Sequence, residues 1–269
     1  MSAAPTLTSE ARVRRSPATA LVADGLAVTG RNLLAYVRIP QLVVFSTIQP
    51  VIFVLLFRYV FGGAIDVPGG SYVNYLMPGI FAQTVVFGSI GTAVGLATDV
   101  RSGLVERFRS LPMARSAVLT GRTAADGVRN VFVVLLMTVV GYLVGFRVQT
   151  NVVAFLAALA LIVAFGYAFS WIFATVGLAV ADPESAQAAA FPVMAPLVFA
   201  SSAFVPLDTM PGWLQGFAAN QPVSVVVDAT RALVLGGPTS RPVLEALAWI
   251  VAIVAVFGPV AVARYRRMA

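Results

Sequence analysis

Residues 152–180 read VVAFLAALALIVAFGYAFSWIFATVGLAV, an apolar run without a charged side chain. An α-helix rises 1.5 Å per residue, so about 20 apolar residues cross the roughly 30 Å hydrocarbon core of a bilayer. This run is long enough to cross, and as a helix it satisfies every backbone polar group internally, as lipid requires. Five further stretches repeat the pattern: 41–61, 78–98, 124–146, 185–205 and 243–262. In the first, Arg58 lies near the far end, where it can snorkel to the interface. In the third, Asp126 and Arg129 fall in the first turns. Pro192 and Pro196 bend the fifth, and Glu245 opens the sixth.

Composition agrees. The 269 residues are 59% hydrophobic and 11% charged, with a mean hydropathy of +0.90. A soluble domain carries roughly 25% charged residues, so this chain cannot cover a water-facing surface. It reads as an all-α integral membrane protein with six transmembrane helices.

Arginine placement orients the spans. Arg12, Arg14, Arg15, Arg31 and Arg38 precede the first. Arg101, Arg107, Arg109, Arg115 and Arg122 lie between the second and third, and Arg264, Arg266 and Arg267 follow the sixth. With six spans all three groups share one side, which places both termini in the cytoplasm of a cell-membrane protein. The net charge of +7 is thus a topological signal, not a nucleic-acid surface.

Several chemistries are excluded. The chain has no His and no Cys, so Cys/His metal sites, His-based acid–base catalysis and Cys nucleophiles are absent. All 18 basic residues are Arg. A P-loop needs a Lys on the nucleotide phosphates, so any ATP that drives this chain binds another polypeptide. The intramembrane carboxylates sit near span ends, whereas ion-coupled carriers place them centrally.

Outside the spans, residues 1–23 read as a flexible cytoplasmic tail without a cleaved signal, and 24–269 as one membrane domain. Residues 24–39 fit an amphipathic helix in the headgroup plane, with Leu34 on its apolar side and Arg31 and Arg38 on another. The alternative is an extension of the first span. Residues 206–240, before the last span, are too apolar for a free loop. Trp213 and Phe217 form one helical patch, and Asp228 and Arg231 are spaced to pair on another helix. Two re-entrant outer helices fit this segment, and they require cover from the bundle.

The cytoplasmic loop after the second span carries the most information. Read as a helix over about 100–111, it puts Val100, Leu104, Val105, Phe108 and Leu111 on one side, with Arg101, Glu106 and Arg109 elsewhere; Pro112 ends it. Such a stripe fits either headgroups or a groove on a cytoplasmic partner. The segment GLVERFRSLPMARSAVLTGR, residues 103–122, resembles the hallmark loop of type-2 ABC exporter permeases, most closely the daunorubicin-resistance group. Glu106, Arg107, Phe108, Arg109, Ser110, Leu111 and Pro112 match the pattern, and Gly121-Arg122 matches the pair opening the third span. Asn220-x-Pro222 and Asp228-x-x-Arg231 are also similar to the family.

The resemblance implies an exporter subunit that pairs with a second copy or a paralogue. An ABC-type ATPase would carry ATP and magnesium, since this chain binds no cofactor. The coupling helix would be Arg101, Leu104, Val105, Glu106, Phe108, Arg109, Leu111 and Pro112. The outer gate would include Trp213, Phe217, Asp228 and Arg231. Phe53, Phe57, Phe81, Phe87 and Phe199 are candidates for a path taken by a hydrophobic or amphiphilic cargo, drug-like or lipid. An ion-coupled secondary transporter and a non-transporting membrane scaffold remain alternatives at this point.

Overall fold

The structure is a computed structural model that describes residues 17–268 except 39, 66, 68–70 and 106–116. Within these residues it is all-helical. The helices are α1 (Pro17–Arg38), α2 (Pro40–Leu56), α3 (Tyr72–Gly88), α4 (Ile90–Arg101), α5 (Ala117–Leu143), α6 (Val152–Gly177), α7 (Pro183–Phe199), α8 (Gly212–Asn220), α9 (Pro222–Leu235) and α10 (Ser240–Arg267). Four helical stretches are long and apolar enough to cross a membrane: Tyr72–Arg101, Ala117–Leu143, Val152–Gly177 and Ser240–Arg267. A shorter apolar helix covers Thr47–Phe61, because α2 runs into a π-helical turn at Phe57–Phe61.

The most apolar helix, α6, is the hub. It packs against α3, α4, α5, α9 and α10. Phe165, Phe169 and Phe173 along it are fully buried, and Asn151 caps its start by accepting from the Ala154 N–H at 2.8 Å. Close approach at its middle and at its C-terminal end depends on missing side chains. A Cβ on Gly177 would lie 2.4 Å from the Ala93 carbonyl oxygen, and one on Gly166 would lie 2.7 Å from Val85 Cβ.

Three boundaries differ from the sequence reading. α1 begins at Pro17, so residues 17–23 belong to a helix rather than to the tail. The Ala residues after Pro17 favour the helix. α5 begins at Ala117, which moves Asp126 and Arg129 from the first turns into the helix body. Both are buried, at 1% and 9% exposure. The Arg122 charge reads in sequence as a span boundary, yet its partners lie on neighbouring helices. Finally, α7 stops at Phe199, where 200–206 turn into an irregular buried crossing with Ser201, Ser202 and Ala203 inside. Pro192 and Pro196 each remove a helical donor and weaken that end.

The α7 start is well capped. The Asp182 carboxylate accepts from the Ser185 N–H at 2.7 Å and from its hydroxyl at 2.9 Å. These bonds hold Asp182 below the usual carboxylate range.

Candidate functional site

Four groups of residues make up the candidate site. The first lines a cavity of about 370 Å³ between α2, α3, α4 and α5. Gln49 and Pro50 come from α2, Gln83 and Phe87 from α3, Gly91 and Gly95 from α4, and Arg122 and Arg129 from α5. Seven residues separate the two arginines, two helical turns, so both point the same way. Gly88 and Gly95 make room for guanidinium groups: a Cβ on Gly95 would lie 1.5 Å from Arg122 Nη2, and one on Gly88 2.4 Å from Arg129 Nη2. Beside the cavity Asp126 is buried and accepts a hydrogen bond from the Thr92 hydroxyl. The carboxylate at the interior of a span therefore has a local partner on α4.

The second group is aromatic. Phe57 stacks on Phe204 with centroids 4.6 Å apart, and Phe204 stacks on Phe199 at 5.7 Å. Phe53 contacts Phe57 and Phe199 at 6.0 and 6.3 Å, and Phe87 meets Phe199 edge-on at 6.5 Å. Four of the five path candidates thus come together, and Phe87 joins them to the cavity. Phe204 was not singled out in the sequence, because the fifth span read as one continuous helix through it. Phe81 lies apart from the other four. It is fully buried and meets Phe146 edge-on at 6.1 Å in the core between α3 and α5. Phe81 and Phe87 lie six residues apart, which turns them to different sides of α3.

The third group holds the 200–206 crossing. The Arg231 guanidinium, on α9, donates to the carbonyls of Tyr75, Ser202 and Ala203 and to Asp228. Its ion pair with Asp228 is 2.9 Å, and the guanidinium carbon sits 3.5 Å from the Tyr75 ring centre. Tyr72 and Tyr75 donate to the Phe204 and Ser202 carbonyls, each at 3.1 Å. Irregular backbone away from water needs this kind of satisfaction. Asp228 and Arg231 pair as their spacing predicts. Trp213 and Phe217 do not join them: they project from α8, 81% and 48% exposed.

The fourth group lies at the end of α4 that leads into the loop before α5. Asp99 Oδ2 is 3.3 Å from Arg31 Nη2 on α1 and 3.5 Å from Arg122 Nη1 on α5. Thr29 adds a hydrogen bond to the Gly121 carbonyl at 3.0 Å, so α1 is packed firmly on the start of α5. Leu34 and Arg38 are exposed. Arg101 lies 3.7 Å from Glu184, both in solvent, where such a pair contributes little.

The continuous helix expected over 100–111 is interrupted. Helix α4 ends at Arg101, and Gly103 takes φ +68°, the left-handed turn that closes helices at glycine. In consequence Val105 points inward, 1% exposed, among Leu96, Val118, Leu119, Trp171 and Tyr265. Leu104 is half-buried. Glu106, Phe108, Arg109, Leu111 and Pro112 lie outside the described residues.

Comparison with known proteins gives a consistent picture. The profile of the ABC-2 type transporter family matches residues 25–235. The "Daunorubicin resistance ABC transporter permease protein DrrB1" of Streptomyces coeruleorubidus is 34% identical over 253 residues, covering 94% of this chain and 89% of that protein. The "Probable doxorubicin resistance ABC transporter permease protein DrrC" of Mycobacterium tuberculosis (strain ATCC 25618 / H37Rv) is 30% identical over 254 residues, covering 94% and 92%. The "Putative transport permease ycf38" of Cyanophora paradoxa is 26% identical over 206 residues, covering 73% and 69%. With this family match over most of its helices, the chain belongs to the ABC-2 type transporter family and is a permease subunit of an ABC exporter.

Proposed function

We propose that this permease moves a hydrophobic or amphiphilic molecule, drug-like or lipid, out of the cytoplasm or inner leaflet. A separate ABC-type ATPase hydrolyses ATP with magnesium and drives the movement. The observation that carries this reading is the unbroken series of ring contacts from Phe87 at the cavity to Phe204 at the irregular crossing. Stacked rings offer an apolar cargo area without a fixed hydrogen-bond geometry. The names of the drug-resistance relatives support a drug-like cargo.

In this reading the bundle has six spans, with α2 and its π turn as the first and α7 with the 200–206 crossing as the fifth. Both termini are cytoplasmic, and the membrane is the cell membrane. Residues 24–269 form one membrane domain, α1 lies at the cytoplasmic interface, and α8 and α9 are the outer re-entrant pair over 206–240. Two permeases, identical or paralogous, sit side by side on two ATPase subunits. The segment 100–111 seats in the ATPase, with Phe108 and Leu111 as its anchors. Val105 secures the segment to the bundle instead.

Co-purification tests the coupling. Phe108→Asp is expected to abolish recovery of the ATPase with the tagged permease while leaving membrane insertion unchanged, because a charge cannot enter an apolar groove without a partner. Undiminished recovery of the ATPase would refute the docking role.

The cargo path has its own test. Phe57→Ala is expected to lower ATP-driven export in inside-out vesicles at least tenfold while ATPase recovery stays normal. Phe81→Ala should act differently: it opens a core cavity, costs about 3–5 kcal/mol and reduces folded yield. If the two variants behave alike, the aromatic series is packing and not a path.

A further inference from the structure

The family relationship does not say what charge the cargo carries, but the cavity does. Arg129 is nine-tenths buried, and among the described residues no carboxylate lies within 4 Å of its guanidinium. Its Nη2 donates to Asn130 at 3.1 Å, while its Nε has no hydrogen-bond partner. Gln83, 2% exposed and on the opposite wall, has an unpartnered side-chain oxygen, and its amide can turn either end toward a guest. Arg122 adds a second guanidinium. It is held in place by Asp99 at 3.5 Å and by donation to the Gly91 carbonyl at 3.1 Å.

Arg122 is paired with Asp99, whereas Arg129 has no such carboxylate partner among the described residues. Burying a charge without its counter-ion is strongly unfavourable, and an ionisable residue inside a membrane span marks a functional site by default. A structural role needs no cation here, since a Leu or Met fills the same volume without that cost. The glycines at 88 and 95 leave room for the guanidinium groups of Arg129 and Arg122, and with Gly91 they line the cavity beside them. Phe87 closes one wall and leads to the aromatic series.

We propose that this cavity is an anion site, which takes the carboxylate or phosphate of an amphiphile whose apolar body lies along Phe87 and Phe199. The inference rests on the export reading for the direction of movement, but not for binding. The same chemistry suits an acidic bilayer lipid or an acidic exported molecule.

The test uses the full chain in phosphatidylcholine nanodiscs, with dodecyl phosphate and dodecyltrimethylammonium as matched probes read by isothermal titration. Dodecyl phosphate is expected to bind at least tenfold tighter, the scale of one charged hydrogen bond. Arg129→Gln should erase that preference, and Arg129→Lys should restore part of it. Arg241→Gln, which removes an exposed charge at the start of α10, should not change it. Where Arg129→Gln does not fold, Gly91→Leu fills the cavity without removing charge and should block dodecyl phosphate equally. Displacement by added phosphatidylglycerol supports a lipid occupant, and lack of displacement supports an exported acid. Equal binding of the two probes overturns the proposal. So does an undiminished preference in Arg129→Gln with an unchanged melting temperature. Neither result touches the export reading, which stands or falls on ATPase recovery and vesicle transport.

Discussion

Arg231→Ala is expected to melt roughly 10 °C below the parent protein, the shift for about 3 kcal/mol lost when a buried guanidinium that satisfies backbone carbonyls is removed. The guanidinium satisfies three carbonyls and one carboxylate from three separate segments. Its removal leaves the Ala203 carbonyl without its donor and the Ser202 carbonyl with the Tyr75 hydroxyl alone. Arg231→Lys recovers only part of the loss, because a single ammonium cannot reproduce the planar fork that spans Tyr75, Ser202 and Asp228. Asp228→Asn is milder, since Asp228 is 45% exposed on its side chain. Differential scanning fluorimetry of the detergent-purified chain reads all three. A midpoint for Arg231→Ala within 2 °C of the parent would mean that the crossing is held by something else.

The second large effect is expected from a single methyl group. In Gly79→Ala the new Cβ lies 2.1 Å from the Ala203 carbonyl oxygen and 2.6 Å from its carbon. The obstacle is backbone, which has no rotamer to move into, so the crossing must lift off α3. A loss of about 3 kcal/mol follows, at the upper end of ordinary overpacking. Gly30→Ala is the control, with nothing within 4 Å of its Cβ position. There alanine improves helix propensity and is expected to be neutral or slightly stabilising. Equal melting temperatures for the two variants would place Ala203 away from Gly79.

Hydropathy made the helical spans legible, since a bilayer imposes length and apolarity on every crossing segment. The Asp228–Arg231 pair was legible for a related reason, as spacing alone puts positions three apart on one side. The cavity was not. Arg129 and Asp126 read as end-of-span charges because a linear window treats a charge as a boundary. Their accommodation depends on Thr92 and Gly88, which belong to other helices. The 200–206 crossing was hidden by its composition, since Ala200, Ala203, Phe204 and Val205 look as apolar as a helix would. The paired Ser201 and Ser202 after two prolines were the available signal. Gly103 likewise broke a helix that the apolar stripe alone would have continued.

Asp99 has a mechanical consequence. One of its oxygens serves guanidinium groups from α1 and α5, one helical half-turn before the loop that follows α4. A push on that loop cannot move α4 alone, because the shared oxygen carries the ends of α1 and α5 with it. Guanidinium groups pivot about a carboxylate oxygen at little cost in contact, so the joint transmits rotation while resisting separation. The three helix ends then behave as one lever, and its stroke reaches Arg122 and the cavity floor before it reaches the aromatic rings above.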